Sequence, residues 1–270
     1  MSRQMIPKTI HYCWFGHNPL PQLAQKCIES WKKYCPDYKI VEWNEETVDI
    51  SACPAYVQVA YAQQKWAYVT DYIRWKVVYE HGGIYLDTDV ELLKPLDNLL
   101  SHHAFMGCEG TEYVNTGLGF GAEKGFEFLR RNMAVYEDMN PTDENGNFVS
   151  NPCPYYTTSL LKDGGVQFPI KHPTETADGM TLYPNHVFNP YDWKADKLHI
   201  TKETVSIHHY SGSWMTEQQR KGYMQKAKSE QIALKFGTIA AKAYEVYFWS
   251  KKKNGGPGFL QWCVNKVKRH

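Results

Sequence analysis

Two aspartates separated by one residue, Asp87-Thr88-Asp89, are the residues of this chain best spaced for chemistry. Residues i and i+2 of an extended segment point to the same face, so the two carboxylates converge at the mouth of a strand. Such a pair repels itself unless a cation sits beside it. Mg²⁺ or Mn²⁺, which prefer oxygen ligands, is the natural partner. Asp71 and Arg74 lie three residues apart and share one face of the helix that precedes this motif. Such a pair is either an exposed ion pair worth less than about 1 kcal/mol, or a clamp in which Asp accepts from sugar hydroxyls and Arg donates to them or to phosphate. His208-His209, followed by Ser211-Gly212-Ser213-Trp214, completes the set. A histidine there can finish a metal shell, and an indole N–H can donate to a phosphate oxygen. The ordinary alternative for a histidine pair is surface or core packing.

The elements that must position these groups follow from hydrophobic spacing. Thr9 to Trp14 is a β-rich run closed by Phe15-Gly16. Leu23, Ala24, Cys27, Ile28 and Trp31 recur at three and four residues, which predicts a helix over Pro21 to Tyr34. Tyr38 to Trp43 is a second strand, so the segment forms a βαβ unit. A helix from about Gln63 to Glu80 carries Trp66, Val69, Ile73 and Val77 on one stripe and stops at His81-Gly82-Gly83. Ile84-Tyr85-Leu86 is a short buried strand leading into Asp87. Further strands are expected at Ala104–Gly107, Thr116–Gly121, Thr181–Tyr183 and Ser206–Tyr210, with a polar loop over Asn140–Asn151. The expectation is an α/β domain with a largely parallel sheet and a ligand site at the carboxyl ends of its strands.

Composition narrows the function classes. At 270 residues the chain can bury roughly three-quarters of its unfolded surface and needs no disulfide or metal staple. Its seven cysteines are scattered without a CxxC, which reads as free thiols in a reducing compartment. A net charge of +1 argues against a nucleic-acid binder driven by bulk charge. The start, MSRQMIPKTIHY, lacks the apolar region of a signal peptide, and no run of about 18 apolar residues is present; a cytoplasmic protein is expected. Gly117-x-Gly119-x-Gly121 does not match the dinucleotide fingerprint, and no GxxxxGK[ST], HExxH or GxSxG occurs. From Thr216 to about Ser250 the pattern is again helical, and Lys251 to Gly258 reads as a basic hinge. Lysines interleaved with Ile232, Leu234, Phe236, Val246 and Trp249 predict peripheral attachment to an anionic membrane surface, the alternative being a helix packed back on the domain.

Three segments in order resemble a known family. They are Ile6 to Gly16, Lys65 to Arg74 continuing through Tyr79 to Asp89, and His208 to Trp214. Together they resemble the sugar transferases carrying a DXD motif, glycosyltransferase family 32. That group includes bacterial capsule and lipopolysaccharide enzymes and yeast initiating mannosyltransferases, and it is similar to the catalytic domains of clostridial glucosylating toxins. The resemblance covers about residues 6–215. It implies a GT-A type, Rossmann-like nucleotide-sugar-binding domain over 1–215 with a helical, basic extension over 216–270.

The resemblance also implies roles. Asp89 ligates Mn²⁺ or Mg²⁺, with Asp87 on the metal or the ribose and His209 approaching the metal. Trp14 stacks on the base. Asp71, Arg74 and Asn115 hold the donor sugar, and Ser213 and Trp214 reach the diphosphate. Histidines stand where the toxins carry a glutamate, which leaves the third ligand open. The expected reaction retains anomeric configuration and moves a hexose, from a UDP-sugar first and GDP-mannose second, to an oligosaccharide acceptor of surface polysaccharide, either lipid-linked or free. Two other readings are a haloacid-dehalogenase-like phosphohydrolase with Asp87 as nucleophile, and a non-catalytic carbohydrate-binding protein.

Overall fold

Strand β1 (Thr9–Cys13), helix α1 (Gln22–Tyr34) and strand β2 (Lys39–Trp43) form the expected βαβ unit, with β1 and β2 parallel and in register from Thr9↔Lys39 to Cys13↔Trp43. α1 buries Ala24, Cys27, Ile28 and Trp31, the positions its spacing predicted. The computed structural model describes residues 5–192 and 197–212, residues 221, 222, 225, 228, 229, 232 and 233, and residues 237–254. The chain divides into two units: Met1–Tyr191 with Leu198–Ser211, and Asp192–Lys197 with Gly212–His270.

In the first unit the chain continues through α2 (Ala55–Ala62), α3 (Trp66–His81), β3 (Gly83–Tyr85), β4 (Val90–Leu92), β5 (Ala104–Glu109), β6 (Tyr113–Val114) and β7 (Phe120–Ala122). It then runs through α4 (Glu127–Glu137), α5 (Cys153–Asp163), β8 (Thr174–Glu175), β9 (Met180–Tyr183) and α6 (Asn185–Phe188). Short strands β10 (Tyr191–Asp192) and β11 (Lys197–Leu198) precede β12 (Ser206–His208).

The α/β class is as expected, but the sheet is mixed. Its order is β2-β1-β3-β7-β5-β9-β8, with β6 paired to β5. β1 is parallel to β2 and β3, and β5 to β9, whereas β7 is antiparallel to both β3 and β5. The physical reason is connection length. Parallel neighbours need a crossover of a dozen or more residues, and the links from β5 through β6 to β7 are too short to hold one.

Alternation along the strands divides the core between the two faces of the sheet. Tyr85, Met106 and Phe120 pack with Trp75, Ile73 and Phe128 on one side. Ile84, Leu86 and Phe105 pack with Ile10, Trp31 and Phe188 on the other. Helix α3 departs from the single stripe its sequence suggested. It buries Val69, Ile73 and Val77, but also Tyr72, Trp75, Val78, Asp71 and Arg74. It is an inner helix, so Asp71 and Arg74 lie in the interior and not on a solvent face.

The end of α3 is fixed by two glycines in the left-handed region, Gly82 at φ +67 and Gly83 at φ +112. A Cβ on Gly83 would lie 2.7 Å from the Thr9 carbonyl oxygen and 2.8 Å from His11 Nε2. His11 is 1% exposed. Its Nδ1 accepts from Trp43 Nε1 at 3.1 Å and its Nε2 donates to the Gly82 carbonyl at 2.8 Å. Burial holds it neutral, pushing its pKa from 6.5 down to about 4 against the raising effect of the Gly82 bond. The unfolded chain therefore binds one more proton than the native state between these values, and stability drains away as pH falls through this window. Asp71, raised by burial to about 7, acts in the opposite sense. A comparison with His11→Gln isolates the histidine, because glutamine can make both bonds without titrating. The parent is expected to lose up to about 3 kcal/mol relative to that variant between pH 6.5 and 4. Urea unfolding at a series of pH values checks it, and a pH-independent difference contradicts it.

In the second unit Gly237 (φ +87) precedes helix α7 (Thr238–Asn254). Residues 251–254 continue this helix, so they are not the hinge expected for that stretch; residues 255–258 lie outside the described set. The side chains of Trp249, Lys251, Lys252 and Lys253, on which membrane attachment depends, also lie outside the described residues. No described helix is long and apolar enough to cross a membrane.

Candidate active site

Strand β3 delivers the Asp87-Thr88-Asp89 segment, and a turn makes the two carboxylates converge. Val90 N–H donates to the Asp87 carbonyl at 3.0 Å, so these residues do not form the extended i, i+2 pair that the sequence implied. The convergence was expected, and a tighter turn produces it. β12 then pairs antiparallel with β4 in a two-stranded sheet, with His208 opposite Val90. That register puts His208 Nε2 3.0 Å from Asp89 Oδ1. The possible ligand atoms of Asp87, Asp89 and His208 all lie within 4.8 Å of one another.

His209 was expected to approach the metal, with the third ligand left open, and the structure turns its ring elsewhere. Its Nε2 lies 2.9 Å from Glu91 Oε2, which is also 3.6 Å from Lys26 Nζ. Neighbouring residues of a strand point to opposite faces, so a difference of one position reverses the direction of the ring. The backbone of His209 still contributes, its N–H donating to the Asp89 carbonyl at 3.0 Å.

Asp89 is held well below the usual carboxylate range. Burial opposes this, but His208 and the Ser211 N–H, which donates to Oδ2 at 2.7 Å, outweigh it. For His208, burial favours the neutral form, and the Asp89 carboxylate overcomes it and raises the pKa. Two carboxylates and one imidazole are a donor set that suits a divalent cation, with the oxygens favouring Mg²⁺ or Mn²⁺ and the nitrogen compatible with Mn²⁺. Among the described residues, His208 Nδ1 is buried with no hydrogen-bond partner. The residues present fit such an ion.

Behind this cluster lies a buried polar network. Arg74 is 4% exposed and Asp71 6%. The Arg74 guanidinium donates through Nε to the Thr70 carbonyl, and through its terminal nitrogens to Thr116 Oγ1 and Thr70 Oγ1. One terminal nitrogen also lies 3.4 Å from Asp87 Oδ1 and 3.5 Å from Asp71 Oδ1. The guanidinium stacks over the Tyr85 ring, whose hydroxyl donates to Asp87 Oδ1 at 3.0 Å. The exposed-ion-pair reading of Asp71 and Arg74 is thereby corrected. Arg74 is the counter-charge of two carboxylates, and its donors are turned toward protein groups.

Asn115 sits in the turn after β6. Its Oδ1 accepts from Gly117 N–H at 2.7 Å and its Nδ2 donates to Glu109 Oε2 at 2.7 Å. Trp14 follows β1 and is partly exposed, with its Nε1 donating to the Asn18 carbonyl at 2.6 Å. Ser213 and Trp214 lie outside the described residues. Sequence reasoning gave no role to Tyr85, Glu109, Thr116, Gly117 and Tyr210, all of which touch this network.

Gly117 is required by close approach. A Cβ built there would lie 2.2 Å from Asp87 Oδ2. Gly117→Ala is therefore expected to displace the carboxylate and lower turnover on the order of a hundredfold, as misplacements near 1 Å do. Circular dichroism should stay unchanged. A variant with parent-like turnover would show that Asp87 is not held by this contact.

Comparison with known proteins follows the same residues. Residues 21–106 match the model of the glycosyltransferase sugar-binding region containing a DXD motif. An uncharacterized glycosyltransferase, L373 of Acanthamoeba polyphaga mimivirus, is 25% identical over 199 residues, covering 68% of this chain and 76% of the relative. Inositol phosphoceramide mannosyltransferase 3 of Schizosaccharomyces pombe is 32% identical over 131 residues, covering 46% of this chain and 35% of the relative. The chain thus spans about three-quarters of the viral relative and about a third of the yeast one. Among solved structures, the PaToxG glycosyltransferase superposes with a TM-score of 0.46 at 17% identity, covering 58% of this chain and 69% of that one. The matched region contains Asp71, Arg74, Asp87 and Asp89, and over it the chain is similar to the DXD-containing glycosyltransferases, enzymes that transfer sugar.

Proposed function

We propose that this enzyme moves a hexose from a nucleoside diphosphate sugar to a saccharide acceptor, with a divalent cation in the Asp87–Asp89–His208 cluster. The observation that carries the reading is the meeting of these three side chains at the end of β3, within a chain whose relatives transfer sugars. The anomeric C1–O bond to the diphosphate breaks, the acceptor oxygen bonds to C1, and the acceptor proton passes to the leaving diphosphate. A bound divalent cation would supply charge stabilisation on the diphosphate oxygens, worth several kcal/mol in such sites. Asp87, Asp89 and His208 would hold that ion, and Trp14 offers an aromatic face for the base. Asp71 is buried beside Arg74, which fits a role in binding the sugar and not in attacking it. Retention of configuration is part of the proposal and rests on the family resemblance.

Three relatives are named for mannosyl transfer to, or synthesis of, inositol phosphoceramides, and one as a lactosylceramide galactosyltransferase. These names move GDP-mannose ahead of the UDP-hexoses in the order to be tested. They also favour a lipid-linked acceptor.

The test is a panel of nucleotide sugars with Mn²⁺, Mg²⁺ or EDTA, read by release of the nucleotide. Release from one donor that collapses in EDTA is expected. No release from any donor with candidate acceptors present, or release undiminished in EDTA, contradicts the proposal. Simple phosphoesters in the same assay address the phosphohydrolase reading, and phosphate release from them would favour it.

A further inference from the structure

Glu109 ends β5, and each of its carboxylate oxygens is taken by a different segment of the chain. Oε2 accepts from Asn115 Nδ2 at 2.7 Å and Oε1 from the Tyr210 hydroxyl at 2.8 Å. The Tyr210 hydroxyl in turn accepts from Nδ2 of buried Asn189 at 2.5 Å. These partners come from the turn after β6, the segment after β12 and the end of α6. Tyr210 is a non-glycine residue at φ +48. Such a backbone persists where its surroundings over-determine it. Its ring stands edge-on to His208 with centroids 4.2 Å apart.

The polarity of this chain of bonds is fixed. A carboxylate only accepts, so Asn115 must turn its NH₂ group to Glu109 and its oxygen to Gly117 N–H. The remaining hydrogen and lone pair of the amide then have set directions beside Asp87, whose carboxylate abuts Gly117. We propose that Glu109 is a positioning residue for the donor sugar, tying Asn115 to Tyr210 so that the Asn115 amide meets the sugar hydroxyls in one orientation. The proposal rests on the sugar-transfer reading given above.

The test compares Glu109→Gln and Tyr210→Phe with the parent. It uses the donor the parent turns over and that donor's nucleoside diphosphate without the sugar. Glutamine at 109 carries one donor group and cannot accept from both neighbours. Its KM for the donor is expected to rise about tenfold, the scale of a lost hydrogen bond to a charged group. Calorimetric affinity for the bare nucleoside diphosphate with Mn²⁺ and the thermal midpoint should stay at parent values. Tyr210→Phe removes only the hydroxyl and should move KM in the same direction by less. An unmoved KM in both variants overturns the proposal, as does an equal loss of nucleoside diphosphate affinity, which marks a merely structural role. If Glu109→Gln does not fold, Tyr210→Phe decides, and a parent-like KM overturns the proposal. A parent that neither binds nor turns over any nucleotide sugar removes the sugar-transfer reading and this proposal with it. A normal parent with unmoved variants removes only the role of Glu109.

Discussion

Asp89→Asn should lower turnover on the order of a hundredfold or more while leaving the fold in place. Three features of the site set that expectation. Asp89 is the best-held member of the acidic pair, with Oδ1 3.0 Å from His208 Nε2 and Oδ2 bonded to Ser211 N–H at 2.7 Å. It is kept ionised in spite of its burial, so at neutral pH it presents a full charge to a cation. An amide in its place removes that charge, although its oxygen can still accept from Ser211 N–H and its NH₂ can donate to a neutral His208 Nε2, so the loss falls on the charge offered to a cation and not on the fold. Turnover with saturating Mn²⁺, compared with the parent in EDTA, is the measurement. A variant within about threefold of the parent would mean that the cluster does not supply the several kcal/mol expected of a metal-holding site.

The sequence made the Asp87–Asp89 pair legible because every signal for it is local: a glycine-stopped helix, a buried tripeptide and two carboxylates. The buried stripe of α1 and the first two strands were readable for the same reason. What escaped depends on contacts distant in sequence. The choice of His208 over His209 is a matter of strand parity, set by the pairing of β12 with β4 across more than a hundred residues. Glu109 has no signature around it, since its partner Tyr210 lies 101 residues away. The direction of β7 was hidden because a three-residue strand looks the same in either orientation. The burial of Asp71 and Arg74 was missed because α3 is covered on nearly all sides, and a helix with two charges reads as half exposed until its neighbours are known.

Arg74 is where the second large effect is expected. Two carboxylates, Asp71 and Asp87, approach one terminal nitrogen at 3.5 and 3.4 Å, and Thr70 and Thr116 take the remaining guanidinium donors named above. Arg74→Met keeps much of the volume and removes the charge. Breaking one side of a buried ionic group costs about 3–5 kcal/mol, and the low end is expected here because Asp71 can escape by taking a proton. Its pKa already sits at about 7, raised first by burial, and loss of Arg74 raises it further. A carboxyl whose native pKa lies above its unfolded value loses stability as pH rises. The deficit of Arg74→Met against the parent should therefore stay level from pH 4 to about 6, where both proteins keep Asp71 protonated, and grow above that toward pH 8 as only the parent ionises it. Arg74→Lys retains the charge but not the planar fork, so it should recover most of the stability and little of the activity. Its single ammonium cannot serve Thr70, Thr116 and both aspartates at once, and Asp87 would lose the partner that aims it toward Asp89 and His208. Urea unfolding of both variants from pH 4 to 8, with turnover of Arg74→Lys, tests this. A pH-independent deficit for methionine would show that Asp71 does not take up the proton. Parent-like turnover for lysine would show that charge alone, without the geometry of the guanidinium, is what Asp87 requires.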